Sequence, residues 1–139
     1  MILLDTNVIS TFMTPESDAV ARSWLDAQPR ESLWTTAITV FEIRMGLENL
    51  AFGRRRQALE DAFTLALELA FVGRIVPFDE SAAQAAGRVA AARRKVGRSV
   101  EIRDVQIAGI AIARKAKLAT RNVRHFEGLG LDLIDPWKA

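Results

Sequence analysis

The chain alternates short apolar runs with longer stretches whose apolar residues recur at helical spacing. Ile2-Leu3-Leu4 is a run of strand type halted at Asp5. Ser17 to Ala27 reads as a helix with Ser17 as its N-cap, closed by Gln28-Pro29. Leu33-Trp34-Thr35-Thr36 is aromatic and β-branched, suited to a pleated surface, and predicts a second strand. Thr36 or Thr39 then opens a helix running to about Leu50, with Gly53 near its end, and a further helix covers Arg54 to about Phe71 and stops at Gly73. Ile75-Val76-Pro77-Phe78 predicts a third strand, after which Asp79 caps a helix from Glu80 to Val96 that Gly97 terminates. Glu101 to Lys117 is helical with a nearly all-apolar stripe, and Leu118-Ala119-Thr120 and Leu131 to Ile134 supply the last strands.

Strands separated by helices, each read as a short apolar run without long alternation, predict an α/β fold: a parallel sheet with helices on both faces. The Ala-rich stretch Ala82 to Ala92 is expected to be a close-packed helix. At 139 residues the chain is the size of one domain, expected to span 1–139. Cysteine is absent and His125 is the single histidine, which excludes a disulfide framework, a thiolate zinc site, a cysteine nucleophile and an HExxH zinc helix. Chemistry is left to carboxylates, hydroxyls, amides and cations. The opening MILLDTN has no basic region ahead of its apolar run, and no stretch approaches the roughly 18 apolar residues of a membrane span. The expectation is a soluble protein of a reducing compartment, the cytoplasm in a bacterium, with no membrane partner.

Charge is unevenly distributed. Residues 1–70 carry 6 basic and 10 acidic side chains, a net of −4, while residues 71–139 carry 13 basic and 7 acidic, a net of +6. Of the 19 cations 15 are arginine, clustered at Arg54-Arg55-Arg56, at Arg93-Arg94-Lys95 with Arg98, and at Arg114-Lys115 with Lys117. Arginine binds phosphate bidentately, so these clusters permit a nucleic-acid partner; solvated helix faces account for them equally well.

In an open parallel sheet the ligand site lies beyond the carboxyl ends of the strands. Asp5, the Thr36 region and the turn Thr120-Arg121-Asn122 occupy such ends. No GxxxxGK[ST] loop occurs, and Gly128-Leu129-Gly130 lacks the context of a dinucleotide fingerprint. Asp5 is either functional or a helix cap. Asp104 lies mid-stripe: at about 100° per residue, Val100, Ile107, Ala108 and Ala111 fall within about 60° of it. A buried carboxylate must be paired, protonated or bound to a cation. Arg103 is a candidate partner for a structural ion pair, although consecutive helical residues point apart. Glu42 shares its face with Ile38, Met45, Gly46 and Asn49, again mainly apolar, with a glycine that allows close approach. Three carboxylates converging at one sheet edge repel one another, and a hard divalent ion such as Mg²⁺ or Mn²⁺, with oxygen ligands and several waters, is the simplest relief.

These residues sit in segments that carry a family resemblance: LLDTNVIS at Leu3 to Ser10, TAITVFEIRMGL at Thr36 to Leu47, IRDVQIAGIA at Ile102 to Ala111, LATRNVRHF at Leu118 to Phe126, and DPW at Asp135 to Trp137. In order and spacing the chain resembles the PIN-domain VapC toxin family, FitB-like branch, over essentially its whole length. The resemblance implies a PIN-like α/β/α sandwich and a Mg²⁺- or Mn²⁺-dependent endoribonuclease, the toxin of a type II (VapBC) toxin–antitoxin pair. Asp5, Glu42 and Asp104 match the three family acids, with Asp5 and Asp104 as metal ligands and Glu42 as a further ligand or the residue orienting the attacking water. The fourth family position falls at Asn122, where relatives carry aspartate or asparagine. Thr6 and Thr120 match hydroxyl positions that orient an acid or a water of the ion. His125 falls at a variable position and is expected to contact backbone or solvent. The implied partners are RNA, a VapB/FitA-like antitoxin seated on the apolar surplus of Phe52, Phe63, Leu65, Leu67, Leu69 and Phe71, operator DNA through that antitoxin, and a second copy in a homodimer. The alternative is a weakly active or inactive PIN protein serving as co-repressor with its antitoxin. A receiver-type phospho-acceptor domain shares the strand-end aspartates but requires an acidic pair and a late lysine that this chain lacks.

Overall fold

The computed structural model describes residues 1–139. Five strands, β1 (Ile2–Leu4), β2 (Leu33–Thr36), β3 (Ile75–Val76), β4 (Lys117–Ala119) and β5 (Leu133–Ile134), pair in parallel in the order β3-β2-β1-β4-β5. Successive side chains of a strand leave on opposite faces. Ile2 and Leu4 therefore enter one core with Val8, Ile9, Leu33, Phe63 and Phe71, while Leu3 enters a second with Ile107, Ile110, Leu118 and Phe126. Both faces of the sheet are covered, as the short unalternating strands predict.

Strand order reverses at β1, with β2 and β3 on one side and β4 and β5 on the other. The chain ends of β1, β2 and β4 thus sit side by side at the edge where such folds place ligands. Six helices connect the strands: α1 (Thr6–Met13), α2 (Ala19–Ala27), α3 (Ala37–Glu48), α4 (Arg54–Leu65), α5 (Glu80–Lys95) and α6 (Ile102–Arg114). Thr36 caps α3 through Oγ1, which accepts from the Thr39 amide at 3.0 Å, and Asp79 caps α5 by accepting from the Ala82 amide at 3.0 Å.

Three details depart from the pattern reading. Helix α1 is unexpected: Thr6, Val8, Ile9 and Thr11 are β-branched and poor helix formers. The helix forms because Asp5 caps it and because Val8 and Ile9 are buried in the core. The cap of α2 is Asp18, one residue beyond Ser17, since its carboxylate reaches the amides of both Val20 and Ala21. The helix begun at Arg54 turns π-helical over Ala66–Ala70. That turn divides the apolar surplus: Phe63 and Phe71 are core residues, Leu67 packs against them, and Phe52, Leu65 and Leu69 are exposed.

The Ala-rich stretch is a close-packed helix. Ala82, Ala85 and Ala86 of α5 are buried against α6, where a Cβ on Gly109 would lie 2.4 Å from the Ala82 carbonyl oxygen and 2.7 Å from the Ala86 Cβ. That spacing holds α6, and Asp104 on its first turn, against the sheet. Gly109→Ala is expected to destabilise the fold by at least about 2 kcal/mol through overpacking. Gly87→Ala, where the new methyl meets nothing within 4 Å, is expected to stabilise it by up to about 1 kcal/mol through helix propensity. Urea titrations of the two variants measure both effects, and equal effects would contradict the close contact.

Candidate active site

Asp5 ends β1, the strand at the order reversal, and its side chain is 5% exposed. Its Oδ1 accepts from the Thr6 amide at 2.8 Å and its Oδ2 from the Thr120 hydroxyl at 2.7 Å. Thr120, fully buried just after β4, also accepts from the Asn122 amide at 3.0 Å, and the Arg121 amide donates to Asn7 Oδ1 at 3.1 Å. The exits of β1 and β4 are therefore tied by side chains as well as by the sheet. Asp5 thus caps α1 with one oxygen and is held by the Thr120 hydroxyl with the other.

Glu42 comes from the first half of α3 and Asp104 from the first turn of α6. Burial raises the pKa of all three carboxyls above the ordinary range. Glu42 is raised further by Asp5 and by Asp104, and Asp104 further by Glu101 and Asp5. The three acids thus lie within electrostatic reach of one another. Hydrogen bonds from Thr120 and Thr6 oppose the rise at Asp5 without cancelling it.

Two basic side chains approach these acids. His125 Nδ1 lies 2.9 Å from Asp104 Oδ2. The sequence assigned His125 to backbone or solvent; the short 3₁₀ turn Val123–His125 after β4 instead swings the ring back onto α6. Arg103 does not pair with Asp104. Its Nη1 stands 3.9 Å from Glu42 Oε2 and its Nε 3.3 Å from Glu101 Oε1, since one helical step points it away from Asp104. Glu101, which sequence reasoning passed over, caps α6 by accepting from the Asp104 amide at 2.9 Å. A Glu three residues ahead of an aspartate on a helix start was the available signal. Asn122 lies on the exposed rim, joined to the site through its amide and Thr120.

Two clefts flank the acids. One, of about 350 Å³, lies between α1, α3 and α4 and is lined by Thr6, Glu42, Gly46 and Arg55, with nothing within 4 Å of where a Gly46 Cβ would stand. The other, of about 300 Å³, is lined by Arg98, Asp104, Arg124 and His125. The arginine clusters divide accordingly. Arg56 is buried and spent on Glu48 and Glu60 at 2.9 and 3.1 Å, and Arg93 is buried with its Nη2 donating to the His125 carbonyl, so neither is a surface cation.

The donors at the site are oxygens, the set a hard divalent ion takes. Thr6 Oγ1 is buried without a hydrogen-bond partner beside Glu42, a free position for a water or a ligand oxygen. No group of three or more carboxylate or imidazole side chains is arranged to hold an ion by protein ligands alone. An ion with the preferences of Mg²⁺ fits such a site through one or two carboxylates, completing its shell with water.

The raised pKa of Glu42 fixes a sign. The folded state holds this proton more tightly than the unfolded chain, so stability is lost as pH rises from the ordinary value of 4.5 through the folded one. Glu42→Gln removes that loss. In chelator, the melting temperature of the variant is expected to exceed that of the wild type increasingly as pH rises toward neutrality, with the gap closing near 4.5. A gap independent of pH in circular-dichroism melts would contradict the assignment.

Comparison with known proteins agrees with this geometry. A family model described as PIN domain matches residues 2–129. The chain is 40% identical to plasmid stability protein StbB of Pseudomonas syringae pv. tomato, over 100% of both chains. It is 38% identical to VapC ribonuclease Y4jK of Sinorhizobium fredii, over 99% of both. The solved structure of FitAB bound to an IR36 DNA fragment superposes with a TM-score of 0.89 at 33% identity, covering 99% of this chain and 96% of the other. With acids at the carboxyl edge of a 3-2-1-4-5 parallel sheet and full-length likeness to these proteins, the chain belongs to the PIN-domain family, in its VapC and FitB-like branch.

Proposed function

We propose that this protein is a divalent-metal-dependent endoribonuclease, a hydrolase of RNA phosphodiesters, and the toxin of a type II toxin–antitoxin pair. The observation that carries the reading is the buried Asp5 carboxylate, fixed by Thr120 and Thr6 at the end of the central strand within reach of Glu42 and Asp104. Three carboxyls raised by burial and mutual repulsion are costly to the fold, and a cation site is the function that uses them.

Asp5 and Asp104 would hold Mg²⁺ or Mn²⁺, with Glu42 as a further ligand. When bound, the ion supplies positive charge to the phosphoryl oxygens and leaving group and acidifies the water that attacks. The remaining steps belong to the chain. Thr120 fixes the rotamer of Asp5 through its 2.7 Å hydrogen bond, so the second oxygen need not be reoriented during the reaction. His125 does the same for Asp104. Glu42, made a stronger base than an ordinary glutamate by burial and by the neighbouring Asp5, is suited to orient the attacking water and accept its proton where it does not itself hold the ion. Thr6 offers an unengaged hydroxyl to the same water, and the Asn122 amide donates from the rim. Exposed Phe41, Met45, Leu65, Leu69 and Val72 give an antitoxin helix an apolar surface, and the assembly reaches operator DNA through that antitoxin. A second copy of the chain completes a homodimer, and the pair works in the cytoplasm.

A second reading, a co-repressor with weak or absent catalysis, is favoured by Asn122: the amide leaves the rim with one formal negative charge fewer than an aspartate would. Expression of this chain alone separates the two, since a ribonuclease arrests growth and a silent co-repressor does not.

Asp5→Asn keeps an N-cap acceptor and Asp104→Asn keeps the shape of the helix start, so both variants are expected to fold. Each is expected to lower Mn²⁺-dependent cleavage of a cellular RNA mixture by at least about a hundredfold. Cleavage at the wild-type rate by either variant, in a preparation freed of contaminating nuclease, would overturn the assignment.

A further inference from the structure

Two buried polar side-chain atoms lack a hydrogen-bond partner: Thr6 Oγ1 and Arg93 Nε. Each belongs to a residue lining one of the two clefts that flank the acids. Thr6 is accounted for by the reaction site. Arg93 is not. The residue is 9% exposed, one nitrogen donates to the His125 carbonyl, and the buried Nε has no acceptor. A buried unsatisfied donor costs about 1–3 kcal/mol, and a charged one more.

The cleft that Arg93 lines also presents Arg98, Ser99 and Arg124, with Asp104 and His125 at its inner end. Arg98, Ser99 and Arg124 are exposed and make no salt bridge or side-chain hydrogen bond. The other carboxylate in the cleft, Glu101, is already engaged, one oxygen on the Asp104 amide and the other on Arg103 Nε. Three guanidinium groups therefore stand around a space of about 300 Å³ whose inner wall is part of the acid site. An anion that enters gains free arginine forks on the exposed side and relieves the buried charge of Arg93.

We infer that this cleft is a phosphate-binding subsite for single-stranded RNA, holding through Arg98 and Arg124 a backbone phosphate neighbouring the one cut at Asp5 and Asp104. The inference rests on the ribonuclease reading and adds to it the place where the strand is gripped. The Arg93–His125–Asp104 series joins grip to chemistry: Arg93 holds the His125 backbone, and the His125 ring holds Asp104. Arg121, stacked over Trp137 at 5.0 Å, continues the basic surface around the corner, where it lines a further cleft with Arg124 and Lys138.

The test is binding without cleavage. A short fluorescein-labelled single-stranded RNA is titrated by anisotropy with Asp5→Asn protein, and in parallel with wild type in chelator, between about 50 and 200 mM salt. Arg98→Gln and Arg124→Gln are each expected to weaken binding roughly five- to tenfold and to reduce the slope of log affinity against log salt by about 0.7, one phosphate contact on a single strand. Arg98→Lys keeps the charge and is expected to restore the slope while recovering only part of the affinity. Lys117→Ala removes a cation where β4 begins, at the opposite sheet edge, and is expected to change affinity less than twofold. Unchanged slopes for both arginine variants, or an equal loss from Lys117→Ala, would overturn the subsite. RNA bound with arginine-dependent slopes yet never cut by the wild type with Mn²⁺ would defeat the ribonuclease reading and leave the subsite standing. RNA cut normally by a protein whose arginine variants bind as wild type would do the reverse.

Discussion

The burial of one carboxylate at the end of the central strand organises this molecule. Asp5 spends one oxygen capping α1 and the other on Thr120, so the acid is both the start of a helix and the clasp between β1 and β4. That clasp explains why a helix forms on Thr6–Met13 despite its β-branched residues, and why the Thr120–Asn122 turn lies over the end of β1. Strand order supplies the rest. With β1 between β2 and β4, the helices α3 and α6 bring Glu42 and Asp104 to the same edge. The small residues at the contact of α5 and α6 let Asp104 reach the edge at all, since any side chain at Gly109 would push the helices apart.

The electrostatics follow from that arrangement. Desolvation is the largest cause of the raised pKa at each acid, and mutual repulsion adds to it at Glu42 and Asp104. Arg103 approaches Glu42 and His125 Nδ1 lies against Asp104, while Asp5 depends on hydrogen bonds from neutral donors. A fold that keeps three such groups gives up stability that well-packed apolar residues would supply. The proposed divalent ion and the proposed RNA phosphate restore balance from opposite directions, the ion on the acids and the phosphate on Arg98 and Arg124 beside the buried Arg93.

How much of this was legible in the sequence depends on the range of the interaction. Local signals read well: the apolar strands, the cap Asp79, the start of α3 at Thr36 or Thr39, the glycine stop after α5, and a carboxylate mid-stripe at Asp104 all follow from near neighbours in the chain. Helix α1 did not, because its propensity is overruled by burial of Val8 and Ile9 against distant residues. Nor did the fate of the arginines. Arg54, Arg55 and Arg56 look alike in sequence, yet only Arg56 is drawn inward by Glu48 and Glu60, a choice made by the packing of α3 on α4. His125 carried no pattern at all; its place on Asp104 is set by how a short turn after β4 meets the start of α6. The family resemblance pointed to Asp5, Glu42, Asp104 and Asn122 together, whereas residue chemistry alone argued only for the first three.

Where a divalent ion takes up the cost of the three acids, as proposed, ligand-linked stability reads that cost out. At neutral pH, saturating Mn²⁺ after exhaustive chelation is expected to raise the wild-type melting temperature by about 5–10 °C at an ion concentration roughly a hundredfold above its dissociation constant. The same addition is expected to leave Asp5→Asn and Asp104→Asn proteins nearly unmoved. A wild-type protein indifferent to Mn²⁺, or variants that gain as much from it as the wild type, would contradict the account.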